Sequence, residues 1–211
     1  NTEGVSVGAG STVTASGSTA VSGVTLYRSF PVVAQDSVSA TGSADGKLIR
    51  FKVTANSAGS IGIEQIAWSV STSSATVSNV KLYAYSDAAY STPVSGQASD
   101  GQVGATVAGV VSGATNKTVV TSNPVQVSAG QTVYFELRAD IVPLTSASIV
   151  TKIFGDASAA ASAIASTQNS ASNFVWTPNT NGTSATSDAD FVNGANVLGL
   201  PSAGITQARG L

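Results

Sequence analysis

Val133-Tyr134-Phe135-Glu136-Leu137-Arg138-Ala139 decides the fold. Val133, Phe135, Leu137 and Ala139 alternate with Tyr134, Glu136 and Arg138, a period of two that puts one set on each side of a β-strand. Two upstream stretches repeat the pattern. Ile49, Phe51 and Val53 alternate with Arg50, Lys52 and Thr54, and Val80, Leu82 and Ala84 alternate with Lys81, Tyr83 and Tyr85. Residues 61–70 hold the same rhythm except for a slip between Ile63 and Ile66, which predicts a β-bulge near Glu64. Further strands are expected over 24–33, 103–111, 117–127, 148–154 and 173–177. Turn signals separate the strands: Asp45-Gly46, Asn56 to Gly59, Asp100-Gly101, Asn123-Pro124 and Ala129-Gly130. Short strands punctuated this often indicate an all-β, antiparallel, Ig-like or jelly-roll-like sandwich. Trp68 is its natural core anchor. With 6 Phe, 5 Tyr and 2 Trp in 211 residues, the remaining core must be mostly Val, Ile and Ala.

Composition narrows the function. Cys, Met and His are all absent, which excludes disulfides, thiolate chemistry, Ser-His-Asp triads and imidazole acid–base work. Only 9% of residues are charged, against roughly 25% in ordinary domains, and Ser, Thr, Ala, Val and Gly fill nearly two thirds of the chain. The 50 residues of Val, Ile, Leu and Phe still suffice for a folded chain. A net charge of −2 leaves no basic footprint for nucleic acid. No apolar run reaches the roughly 18 residues of a membrane-spanning helix. The chain opens at Asn1 without any methionine, so a processed, exported protein is expected, in an extracellular or cell-surface location.

Two segments flank the expected sandwich of residues 24–177. Residues 1–23 are Gly, Ser, Thr, Ala and Val with one acidic side chain, Glu3, and Val5, Val7 and Ala9 alternate with small residues. The segment reads either as a leader without fixed structure or as an extended strand awaiting a partner sheet. Residues 178–211 form an Asn/Gly/Ser/Thr-rich C-terminal arm ending in VLGLPSAGITQARGL. Residues 156–166 read as a short capped helix or an Ala/Ser loop.

Five segments carry a resemblance in their order: Leu26-Tyr27-Arg28-Ser29-Phe30-Pro31-Val32-Val33, residues 48–59, Val77-Ser78-Asn79-Val80-Lys81-Leu82-Tyr83, Phe174-Val175-Trp176-Thr177-Pro178, and Asp188-Ala189-Asp190-Phe191-Val192-Asn193-Gly194 ahead of Gly199-Leu200-Pro201. Across about residues 24–204 the chain resembles secreted, Ser/Thr-rich bacterial cell-surface proteins with Ig-like β-sandwich modules, of the candidate-phyla-radiation type. That resemblance implies a cell-surface location and a structural or adhesive role, with no catalytic residue to carry over.

Candidate chemistry is sparse. Glycoside hydrolysis needs two carboxylates about 5–9.5 Å apart; Glu64 and Glu136 are the one pair on strands, and a solvated strand face is their plainer reading. No Gly-rich loop is followed by the Lys-Ser/Thr of a phosphate cradle, and an enzyme is not expected. Calcium, which takes carboxylate and carbonyl oxygens, is the one credible metal, with Asp188 and Asp190 as ligands; Asx turns explain the same loop without an ion, and no other cofactor is expected. Asn116-Lys117-Thr118 and Asn181-Gly182-Thr183 match the glycosylation sequon. Tyr83, Tyr85 and Tyr90 are either a platform for sugar rings or cross-strand packing on the outer face. Lys47, Lys52, Lys81, Lys117 and Lys152 are candidates for an isopeptide cross-link, and no spacing singles one out.

The sharpest expectation concerns assembly. Residues 4–15 alternate, carry no charge and no proline, and suit donation as a strand to a neighbouring sheet. Val5, Val7, Ala9 and Val13 would carry that contact, with Leu198 and Leu200 in the mirror version at the C-terminus. Head-to-tail donation generates an open polymer of copies of the chain. The reading is therefore a structural subunit of an extracellular filament, pilus-like fibre or surface layer, with glycans as further partners. The competing reading is a monomeric adhesin or carbohydrate-binding module.

Overall fold

The computed structural model describes residues 27–39, 41, 45–120, 124–155, 174–179, 192–193 and 197–210. Among these the chain is all-β, with ten strands and no helix, hence no helix long and apolar enough to cross a membrane. The strands are β1 (Pro31–Asp36), β2 (Lys47–Ala55), β3 (Ile61–Tyr85), β4 (Gln102–Val111), β5 (Thr115–Val119), β6 (Val125–Val127), β7 (Thr132–Ile153), β8 (Val175–Thr177), β9 (Val192–Asn193) and β10 (Ile205–Gly210). They form one open antiparallel sheet in the order β1-β2-β7-β3-β8-β9, with β10 beside β7 and with β4, β5 and β6 beside β3.

Its frame is a ribbon of two very long strands. β3 runs for 25 residues and β7 for 22, paired from Tyr85↔Tyr134 to Trp68↔Ile153. The sequence pattern predicts two strands in place of each. They stay continuous because residues 71–76 and 140–147, where the apolar rhythm lapses, are mostly small, hydroxylic or β-branched and contain no breaker stronger than Pro143. At that point the ladder is irregular: Ser73 pairs with Ser148 and Ala75 with Pro143, and Ser74 and Ser146 take positive φ. A missing proline N–H is tolerated where the register is already broken.

The ribbon is buried at both ends and exposed in the middle. The second half of β3 lies between β4 and β7, with β2 and β1 beyond. The first half has β5 and β6 on one side, and β8 and the end of β7 on the other. One hydrophobic cluster draws on both halves, joining Phe51, Leu82 and Phe135 to Ile61, Trp68 and Trp176, and β2 approaches both β6 and β10. This is consistent with a sandwich whose core is enclosed by one folded sheet.

Local expectations hold where the chemistry is local. A register shift falls between Ile63 and Gln65, where the parity slip predicts a bulge. Asp45, Asn56 and Asp100 each accept a backbone N–H two residues on, from Lys47, Ala58 and Gln102. Trp68 is fully buried and its indole N–H donates to Thr118 Oγ1 at 3.0 Å. Elsewhere the bounds move. Residues 117–127 divide into β5 and β6, and β1 begins at Pro31. The sheet also continues past Thr177: β10 pairs with β7, and Leu198 forms a parallel bridge with Val32 of β1. The described part of the expected C-terminal arm is thus built into this chain's own sheet.

Candidate functional site

The outer face of the sheet at β1, β2, β7 and β3 gathers most of the chemistry this chain has. Register sets it out in rows. Lys81, Arg138 and Lys47 lie side by side on β3, β7 and β2. The next row is Tyr83, Glu136, Arg50 and Asp36, and the one after it Tyr85, Tyr134 and Lys52. Five of the chain's nine basic residues therefore share one face.

Glu136 lies at the centre and corrects the expected solvated strand face. Its side chain is 0% exposed, and Oε2 accepts from Arg138 Nη2 at 2.8 Å and Arg50 Nη2 at 3.4 Å. The roof that excludes water is aromatic. Arg50 sits 3.9 Å from the centroid of the Tyr90 ring and Arg138 sits 4.6 Å from that of Tyr83. Tyr90 comes from the loop after β3, where Asp87 accepts from the N–H groups of Ala89, Ser91 and Thr92. Tyr90 then packs edge-on to Tyr85 and Tyr134 and donates its hydroxyl to Asp36 at 2.9 Å.

Burial and the Asp36 carboxylate together push the Tyr90 phenol far above the ordinary tyrosine range. Burial alone accounts for most of the rise at Tyr85. At Arg138 burial works against the charge, but the Glu136 carboxylate outweighs it and holds the guanidinium protonated. Tyr83, Tyr85 and Tyr90 retain only 9%, 4% and 7% exposure. Of the two readings, the geometry matches cross-strand packing: their faces are taken by one another and by arginines.

The other expected residues are scattered. Glu64 is also buried to 0%; it lies on the first half of β3, and Glu136 opposite the second. Lys47, Lys52, Lys81, Lys117 and Lys152 are all half-exposed, outside the core that an isopeptide link would need. Lys47 lies 3.7 Å from Asp45, and Lys152 stands over the Phe154 ring. Asn116 is on β5 with its amide donated to Ala114 O at 3.0 Å. Leu200 is buried in the chain's own core at 1% exposure, while Leu198 is exposed with its backbone held between Pro31 and Val33. Within one chain, the Leu200 side chain and the Leu198 backbone are thus engaged intramolecularly, and the Leu198 side chain is left exposed. Val5, Val7, Ala9, Val13, Asn181, Asp188, Asp190 and residues 156–166 lie outside the described residues. Among the described residues no cluster of three acidic groups is placed to hold a metal.

Sequence reasoning missed one device entirely. Arg209 of β10 is 3% exposed, and its guanidinium reaches Ser39 O at 2.7 Å, Asp45 Oδ1 at 2.6 Å and Lys47 O, pinning the last strand to the β1–β2 connection. Burial opposes ionisation of Asp45, but the hydrogen bonds and charges of Arg209 and Lys47 outweigh it and hold the carboxyl below its usual range. No local pattern signals it, since Arg209 and Asp45 are 164 residues apart. No protein-family model matches the chain, and no curated protein matches it.

Proposed function

We propose that the chain is a structural subunit of an extracellular filament, pilus-like fibre or surface layer, assembled by strand exchange between copies. The observation that carries the reading is the edge of the sheet at β4. Its sequence, QVGATVAGVV, has neither a charge nor a proline, the usual guards against pairing with another chain. Among the described residues its one ladder is to β3. The guard it retains is bulging, with register shifts against Val80 and positive φ at Gly104 and Gly109. Exposed Val110 on β4, and Val142 and Leu144 on the ribbon nearby, add apolar surface with little charge to desolvate. Residues 4–15 supply an uncharged alternating strand as donor.

Electron microscopy and size-exclusion chromatography of the full chain and of a chain lacking residues 1–23 test this. Polymers are expected from the first and monomers from the second. Intact polymers from the truncated chain rule out N-terminal donation, and a full-length chain that stays monomeric at all concentrations rules out the subunit reading.

A further inference from the structure

We propose that the groove between Lys81 and Arg138 binds a single small carboxylate. The groove has a volume of about 190 Å3 and is lined by Asn79, Lys81, Tyr83, Arg138 and Asp140, with Gly46 and Ala139 at its floor. That is smaller than the roughly 300–1,000 Å3 of pockets for drug-sized ligands, so one compact ligand fills it.

Charge argues for an anion. Like charges directly opposite each other on neighbouring strands are destabilising, yet here three cations stand in one row. Two have partners within the protein: Arg138 has Glu136 and Lys47 has Asp45. Among the described residues no carboxylate pairs with the Lys81 ammonium. Asp140 lies in the same groove but is engaged by Asn79 Nδ2 at 2.7 Å. A carboxylate in the groove would pair with the Lys81 ammonium beside the Arg138 guanidinium, whose side chain is 36% exposed. Asn79 takes a positive φ (52°), which asparagine adopts readily, and its side chain bridges Asp140 and the Gly109 N–H, fixing one wall of the groove.

The inference does not depend on the filament reading, because the groove lies within one chain. It is tested on the full chain by following backbone amide resonances during titration with D-glucuronate, with neutral D-glucose as the control. Glucuronate should shift Asn79, Lys81, Arg138 and Asp140 with a dissociation constant on the order of 1 mM. Binding should weaken in about 0.5 M NaCl, where screening is strong. Lys81→Gln, which removes no core contact, should weaken it about fivefold, the scale of a partly exposed ion pair. Asp140→Asn should strengthen it by removing the one anionic wall. Equal binding of glucose and glucuronate overturns the proposal, as does a Lys81→Gln variant that titrates like the parent, or groove resonances that do not move at tenfold the expected constant.

Discussion

Replacing Glu136 by Gln keeps the shape of the side chain and removes its charge. Among the described residues Glu136 is the one anion within 3.4 Å of both Arg50 and Arg138, and it is fully buried. Breaking a buried pair by removing one partner costs about 3–5 kcal/mol. The arginine side chains are 22% and 36% exposed, so water replaces part of what the carboxylate supplied. The remaining loss is two charge-assisted hydrogen bonds, one of them long, and the repulsion between two guanidinium groups, together about 2–3 kcal/mol. Urea unfolding reads it directly, because fully buried Trp68 and Trp176 report the transition by fluorescence. In a chain of this size the same loss lowers Tm by about 4–10 °C. A change below about 0.5 kcal/mol is the mark of an ordinary surface position and would refute the reasoning. Adding Arg138→Gln separates pairing from packing: the double variant should cost clearly less than the sum of the single ones.

Gly199 sits at φ +75°, and a Cβ there would collide with Val33 O, so Gly199→Ala should detach the C-terminal segment from β1. Hydrogen exchange checks it: the Val33 amide, bonded to Leu198 O at 2.7 Å, should exchange much faster while Phe135 stays protected. Thr118→Val strands the indole N–H of Trp68 in the core and should cost about 1–3 kcal/mol by urea titration; no change would show that the bond contributes nothing. Tyr27, Tyr85 and Tyr90 all have folded pKa values raised above the unfolded one. Their stabilising share is complete below the ordinary phenol value of about 10 and is lost as pH rises from there through the folded values. The urea midpoint should therefore fall between pH 8 and about pH 11, and Tyr90→Phe should flatten that fall. Asp45 runs the other way. Its folded pKa is lowered, so its contribution is present above the ordinary carboxylate range and disappears as pH drops through the folded value, and Arg209→Gln, which leaves the Lys47 contribution in place, should weaken that acid-limb dependence in a pH series of urea midpoints.

The strands were legible because alternation is a local signal, and Phe51, Phe135 and Leu137 go where the period of two sends them. The bulge by Glu64 and the Asx turns at Asp45, Asn56 and Asp100 were legible for the same reason. What alternation does not carry is whether the second face is covered. Glu136 reads as solvated because the pattern assigns it outward; the roof over it comes from Tyr90, in a separate loop, and from arginines on two strands. Arg209 escaped for a related reason. Its partner Asp45 lies 164 residues away, and nothing near either marks the contact. The continuity of β3 and β7 was hidden because exposed Ser and Thr in the middle of the ribbon resemble a loop until the opposite strand is present.

The ribbon also imposes an order of assembly. β4, β5 and β6 follow β3 directly and can pair with it as soon as they are made. β2 has neighbours only in β1 and β7, so the first hairpin must wait for the strand that begins at Thr132. Closure of the whole sheet is thus a late event bridging distant parts of the chain, and loop-closure entropy makes such events slow. During that interval β3 presents one unpaired, nearly uncharged flank along its full length. An exposed flank of that kind pairs readily with another copy, so the yield of refolding should fall as protein concentration rises.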